Sequence, residues 1–286
     1  MRVAMLGLGL IGGSVARAAL AAGADVRAWT PGGAGPRAAE ADGIRAAAGV
    51  AEAVEGADLV VLAAPPLACL ELVDELGRGG VPLGPDTVVT DVASTKAAIV
   101  ERARAAGLRF VGGHPLAGRE TSGYGASDAG LFADRPWVIV PPDPADEVAI
   151  ARVETLIAAC AARPVRMTAA DHDRAVAAIS HLPLVVAAGL VETLAEAPDR
   201  AIALRLAAGG WASGTRVARG DVEMGTGILS LNASAVADRL RAFRAVLDGW
   251  QADLDGADAD AIRDRLAGAR VSLETGDGSD PHGAAR

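Results

Sequence analysis

Residues 1–30 read MRVAMLGLGLIGGSVARAALAAGADVRAWT, and this stretch decides the fold. The apolar run VAML (3–6) has the length of a buried strand, and the glycines after it form a turn. IGGSVARAALAAG (11–23) is rich in helix-forming alanine and stops at Gly23, and ADVRAW (24–29) supplies a second strand. The whole is one β-α-β unit. Gly7, Gly9 and Gly12 satisfy G-x-G-x-x-G: the first permits a tight turn, the second lets the backbone approach a pyrophosphate, and the third lets the helix pack close to the strand. The helix then presents free N–H groups and the positive end of its dipole to the phosphates. A glycine fingerprint alone is weak. With a strand before it and a helix after it, the segment Gly7, Leu8, Gly9, Leu10, Ile11, Gly12 reads as a dinucleotide site.

The same alternation continues outward. ADLVVLAAP (57–65), TVVTDVAS (87–94), RFVGGH (109–114) and PWVIVPP (136–142) are further strand candidates, most separated by helical stretches. Such a pattern predicts an α/β fold with a parallel, doubly wound Rossmann-type sheet, in which ligands lie outside the carboxyl ends of the strands. The ends carrying Ala64 and Pro65, Ser94 to Lys96, and His114 therefore converge on the glycine loop. His114 stands in GGHPLAGRE (112–120), between a glycine pair and a proline that drives it toward extended backbone. At the end of the second strand Thr30 occupies the place where NAD sites usually carry an acid for the ribose hydroxyls. Without that carboxylate a 2′-phosphate is not repelled, and Thr30 or Arg37 could meet one, so the cofactor reading is NADP or NAD, leaning to NADP.

The chain has 286 residues, 51% of them apolar and 22% charged, with a formal net charge of −9. That length suits two domains, and the acidic balance argues against a nucleic-acid or anionic-membrane surface, leaving a small molecule as the partner. Cys69 and Cys160 form no metal-ligand spacing and read as packing residues in a reducing compartment. No leader or membrane-length apolar run is read, so the expected location is cytoplasmic. From about residue 147 the pattern becomes long alanine-rich segments (147–162, 169–196, 199–211 and 221–267), interrupted by one short strand, PVRMT. Pro183 should kink the second of these near Ile179. The expected organisation is a dinucleotide-binding domain over 1–166, an all-α substrate and dimerisation domain over 167–270 that forms a homodimer, and a flexible tail over 271–286.

Taken together, GLGLIGGS (7–14), TDVASTK (90–96), FVGGHPLAGRE-TSG (110–123), LF (131–132), ADHDRAVAAISHLP (170–183) and GTRVA (214–218) resemble the prephenate and arogenate dehydrogenase family of tyrosine biosynthesis. The motifs run in the family's order over residues 1 to about 245. The resemblance implies oxidative decarboxylation of a cyclohexadienol to a phenol with a nicotinamide cofactor. It also implies roles: His114 as catalytic histidine, Ser94 bonded to it and to the substrate hydroxyl, Arg216 on a substrate carboxylate, and Lys96, Glu120 and His181 near the substrate. Two positions depart from the family pattern. SHLPL ends in Leu184 rather than histidine, and Gly225 stands nine positions after Arg216 where a tryptophan is frequent. These departures resemble the cyanobacterial arogenate-type branch and leave prephenate and arogenate both open. A dehydrogenase for 4-amino-4-deoxyprephenate and a non-catalytic NAD(P) sensor are the alternative readings.

Overall fold

Strands that alternate with helices and are apolar throughout belong in the middle of a sheet covered on both faces. The computed structural model, which describes residues 1–81, 83–119 and 121–276, has that arrangement. In chain order the elements are β1 (Arg2–Leu6), α1 (Leu10–Ala21), β2 (Asp25–Trp29), α2 (Ala34–Ala39), β3 (Arg45–Ala46), α3 (Val50–Val54), β4 (Leu59–Leu62), α4 (Pro66–Gly77), β5 (Val88–Asp91), α5 (Ala97–Ala105), β6 (Phe110–Pro115), β7 (Pro136–Val140), α6 (Glu147–Ala159) and β8 (Arg163–Arg166). The sheet order is β3-β2-β1-β4-β5-β6-β7-β8. Its first six members reproduce the 3-2-1-4-5-6 order of dinucleotide-binding sheets.

Alternate side chains along each central strand feed two separate apolar layers. Val3, Met5, Leu59, Val61 and Val88 pack with α1 and α6 residues such as Val15, Ile150 and Val153. Ala4, Leu6, Val60, Leu62 and Val89 pack with Val54, Cys69, Val73 and Ile99 from α3, α4 and α5. Fully burying each Val or Leu is worth about 1.5–3 kcal/mol, so these two layers fix the sheet.

Two strands, β7 and β8, run against the parallel expectation. β7 pairs antiparallel with β6, with His114 opposite Val138, and β8 then pairs parallel with β7. Among the described residues between β6 and β7 there is a short helical turn at Tyr124–Ala126, which packs on α1, and no α-helix. A parallel neighbour would need a long crossover, whereas an antiparallel one does not.

Helices continue with α7 (Ala169–Val176), α8 (Leu182–Ala195), α9 (Arg200–Leu206), α10 (Gly209–Thr215), α11 (Val222–Leu231), α12 (Ala233–Asp255) and α13 (Ala259–Gly276). The expected kink takes the form of a π-helical segment, Ala177–His181, between α7 and α8. It comes directly before Pro183, whose missing N–H breaks the α-helical ladder. By packing, residues 1–233 form one compact unit and the described residues from 234 onward another. In the first, α7 packs on α5 and α11 on α4. A Cβ at Gly227 of α11 would come within 3.2 Å of Pro66, so glycine permits that close approach. In the second, Arg265 pairs with Asp253 and lies over the Trp250 ring. The tail expected from 271 instead begins as helix, since α13 runs to Gly276. Residues 277–286, including His282, lie outside the described residues.

Candidate active site

The glycine loop is built as the fingerprint requires. Gly7 has φ +110°, and a Cβ there would stand 2.1 Å from the Ala63 carbonyl oxygen. At Gly12 a Cβ would meet the Gly7 carbonyl oxygen at 2.3 Å, so the third glycine brings α1 down onto the turn. Gly9 is different: a Cβ there would touch nothing within 4 Å. The open face at Gly9, beside the unsatisfied N–H groups of the first turn of α1, is the cradle that a pyrophosphate fits. Ala64 and Pro65 follow the neighbouring strand β4, and Thr30 follows β2, where its carbonyl accepts from Gly33 N at 3.0 Å. Arg37 folds back on this loop, donating to the Gly32 carbonyl at 2.8 Å.

Further along the sheet, β6 presents His114 with only 9% of its surface exposed. Its Nδ1 lies 2.8 Å from His172 Nε2, and His172 Nδ1 lies 2.7 Å from Asp173 Oδ1. Asp173 in turn accepts from the backbone N–H groups of Lys96 (2.8 Å) and Ala97 (2.9 Å), so a carboxylate on α7 caps the start of α5. Asp173 is thereby held below the ordinary carboxylate range. Burial opposes this, and the hydrogen bonds from His172, Ala97 and Lys96 outweigh it. Burial first, then the positive charges possible at His172, Lys96 and His181, push His114 well below the usual histidine value. It is therefore a neutral imidazole at neutral pH, the form that can accept a proton.

Lys96 does not stand where a substrate could reach it. Its side chain and that of Asp91 are both 0% exposed, and its ammonium donates to Asp91 Oδ2 and, at 2.7 Å, to the Gly113 carbonyl. Asp91 Oδ1 accepts from Gly113 N at 3.0 Å. This buried pair grips both the N–H and the C=O of Gly113, the residue preceding His114, so Lys96 fixes the strand instead of touching ligand. Ser94 also differs from expectation. It is partly exposed between β5 and α5, and no hydrogen bond joins its hydroxyl to His114. The partner that orients the imidazole is His172, and the cap of α5 comes from Asp173.

His181 is buried at the end of the π-helical segment. Its Nδ1 accepts from Asn232 Nδ2 at 3.1 Å, and the same amide group donates to the Asp173 carbonyl at 2.8 Å. With Nδ1 accepting, a neutral His181 carries its proton on Nε2, which makes no well-formed hydrogen bond although the Ser94 backbone lies beside the ring. Burial pushes its pKa down to about 4. His181 borders a largely apolar cavity of about 370 Å³ with Leu184, Val185, Met224 and Gly225. The two departures from the family pattern meet there: a Cβ on Gly225 would stand 3.6 Å from Leu184 Cδ2. Arg216 opens the short turn after α10, next to Val217 and Ala218 of the same cavity wall. Glu120 lies outside the described residues. Both cysteines are buried, which raises each thiol to about 12 and makes them packing groups.

Three residues escaped the reading of the sequence: His172, Asp173 and Asn232. The prephenate dehydrogenase nucleotide-binding domain model matches residues 34–166, and the prephenate dehydrogenase dimerization domain model matches residues 168–267. The chain belongs to the prephenate dehydrogenase family. Within this family it is 30% identical to the cyclohexadienyl dehydrogenase of Zymomonas mobilis over 295 aligned positions, covering 96% of each chain. Other curated relatives that it matches are longer, and it spans 53–73% of their length. Among solved structures, Synechocystis arogenate dehydrogenase superposes with a TM-score of 0.81 at 29% identity, covering 96% of this chain and 99% of the other. The prephenate dehydrogenase of A. aeolicus in complex with hydroxyphenyl propionate and NAD+ gives a TM-score of 0.86 at 25% identity, covering 97% and 98%. The cradle at Gly9 thus belongs to a family that uses a nicotinamide cofactor.

Proposed function

We propose that the chain is a homodimeric dehydrogenase of tyrosine biosynthesis that oxidatively decarboxylates prephenate to 4-hydroxyphenylpyruvate, or arogenate to tyrosine. The observation that carries this reading is His114, a buried neutral imidazole held by its Nδ1 at the carboxyl end of β6. A bound nicotinamide takes the hydride from the ring carbon that bears the hydroxyl. As it leaves, the hydroxyl proton shifts toward His114 Nε2, the ring carboxylate departs as carbon dioxide, and its bonding electrons complete the aromatic ring. The proton then rests on the phenol oxygen, so no net proton is gained or lost. Ser94 at the neighbouring strand end offers its hydroxyl to the same substrate oxygen. Arg216 supplies a planar fork for a substrate carboxylate, and His181 a single N–H donor at the cavity.

The cofactor we assign is NADP, because Thr30 replaces an acid at the end of β2 and Arg37 lies over the adjoining loop. The dimer forms through the helical region beyond residue 167. There Ile179, Leu206 and Val222 are 71%, 76% and 75% exposed, an apolar surface that a second copy would cover. The stretch Ala169–Ala195 is long and apolar enough to cross a membrane by composition alone. Its His172, Asp173 and His181 are instead committed to hydrogen bonds inside the folded unit. A cytoplasmic location suits the two free thiols.

The test is the formation of reduced nicotinamide in four separate reactions, NAD or NADP with prephenate or arogenate. Turnover with NADP in either substrate series supports the whole assignment. Silence in all four from a folded protein that binds dinucleotide would reject it and favour the 4-amino-4-deoxy substrate or a sensor.

A further inference from the structure

The base needs its lone pair on one particular nitrogen, and the residues behind it decide which. Asp173 is ionised and its two oxygens are filled by donors: Oδ1 by Lys96 N and His172 Nδ1, Oδ2 by Ala97 N. An ionised carboxylate can only accept, so His172 must hold its proton on Nδ1. A neutral His172 then has a bare Nε2, which can only accept from the nitrogen 2.8 Å away. His114 must accordingly carry its proton on Nδ1 and leave Nε2 free. No other neutral arrangement makes both hydrogen bonds.

We propose that His172 and Asp173 are positioning residues for the dehydrogenation, forming a one-way chain Asp173–His172–His114 that fixes the catalytic ring in the tautomer with a bare Nε2. This rests on the reading of His114 as the base. The chain joins three elements: Asp173 and His172 come from α7, His114 from β6, and the cap on α5 anchors the carboxylate end. His172 is 1% exposed, so water cannot stand in for it. The ring centroids of the two histidines lie 5.0 Å apart with planes at 76°, an edge-on approach that directs nitrogen to nitrogen and prevents stacking. During reaction the same chain acts electrostatically, because the imidazolium that develops at His114 lies in line with the Asp173 charge through a polarisable ring.

The experiment measures ring-nitrogen resonances of the full-length protein labelled with nitrogen-15 in histidine, together with steady-state kinetics. In the unaltered protein at neutral pH, His114 should show a protonated Nδ1 and a bare Nε2. Asp173→Asn can turn its amide N–H toward His172, reversing the chain, so the His114 proton should move to Nε2. Its kcat should drop by about 10²–10⁴-fold while KM changes by less than about threefold. Asp173 also caps α5, so a second pair of variants leaves the cap intact. His172→Gln places an amide oxygen able to accept from His114 Nδ1 and should retain turnover within about tenfold. His172→Leu offers no acceptor and should fall as far as Asp173→Asn. A proton found on His114 Nε2 in the unaltered protein, as an imidazolium at His172 would produce, overturns the proposal. So does equal turnover of the Gln and Leu variants when circular dichroism shows both folded. The resonances are read without substrate, so a chain found in the predicted tautomer in a protein that turns over none of the four substrate and cofactor pairs would refute the assigned reaction and leave this chain standing.

Discussion

Replacing Lys96 with methionine separates two roles for this lysine. Methionine keeps the unbranched stem and removes the ammonium, and with it the hydrogen bonds to Asp91 Oδ2 and to the Gly113 carbonyl. Both side chains of the pair are 0% exposed, so the carboxylate left behind cannot gain water. Breaking such a pair costs about 3–5 kcal/mol. Asp91 retains N–H donors from Ala93 at 3.1 Å and Gly113 at 3.0 Å, which places the expected loss toward the lower end of that range. For a unit of this size each kcal/mol lowers Tm by about 2–4 °C, so the variant should melt about 6–15 °C below the parent. Thermal unfolding followed by circular dichroism reads this directly. The double variant Asp91→Asn with Lys96→Met removes the stranded charge and should recover part of the loss. A Tm within about 3 °C of the parent, combined with a raised KM for substrate, would refute the structural role and restore Lys96 to the substrate.

Three further outcomes follow from other parts of the site. Gly12→Ala puts a Cβ 2.3 Å from the Gly7 carbonyl oxygen and 2.8 Å from Ala63 Cβ. Dinucleotide titration should show affinity weakened by at least about tenfold, and unaltered affinity would remove Gly12 from the cradle. Arg216→Ala should raise KM for the cyclohexadienol by about 10–100-fold with a smaller effect on kcat, and an unchanged KM would place the carboxylate elsewhere. His181 has its pKa depressed by burial to about 4, against an ordinary value of 6.5. The unfolded chain therefore binds more protons between those two values, so stability is full above about pH 6.5 and falls as pH drops toward 4. Urea midpoints compared at about pH 7 and pH 5 should show a smaller pH dependence in His181→Gln than in the parent, and equal slopes would contradict the burial of that ring.

The fold was legible wherever side-chain pattern and turn chemistry agreed. The 1–30 stretch, with Gly7, Gly9 and Gly12, announces β1, α1 and β2, and the apolar runs at 59–62 and 88–91 are strands because both sheet faces are covered. Strand direction was not legible at β7. A run such as PWVIV reads the same in either direction, and only the segment 116–135, glycine-rich and without helical period, signals that no crossover helix precedes it. β3 is two residues long and carries no pattern. In the second half, Asn232 and residues 256–258 divide what the alanine-rich sequence presents as one helix.

At the site, His114 could be found because a proline and a glycine pair frame it, whereas His172 and Asp173 hid in plain view. On α7 the stretch AADHDRAV resembles a solvated charged face, and Asp171 and Arg174 do form an exposed pair there. The clue is periodicity: His172 lies four positions before the buried Val176, on the face turned inward. Lys96 misleads for the opposite reason. A lysine in the first turn of a helix reads as exposed, and only its placement five residues after Asp91, at the end of a buried strand, points to an internal pair.

The most direct test of the account compares reduced-nicotinamide formation by the parent protein and by His114→Asn at saturating cofactor and substrate. Asparagine keeps polar contact with His172 but offers no basic nitrogen. The account predicts that kcat falls by about 10²–10⁴-fold while cofactor affinity and the melting transition are preserved. Turnover of the variant within tenfold of the parent would show that the proton goes elsewhere and would contradict the assignment of His114 as the base.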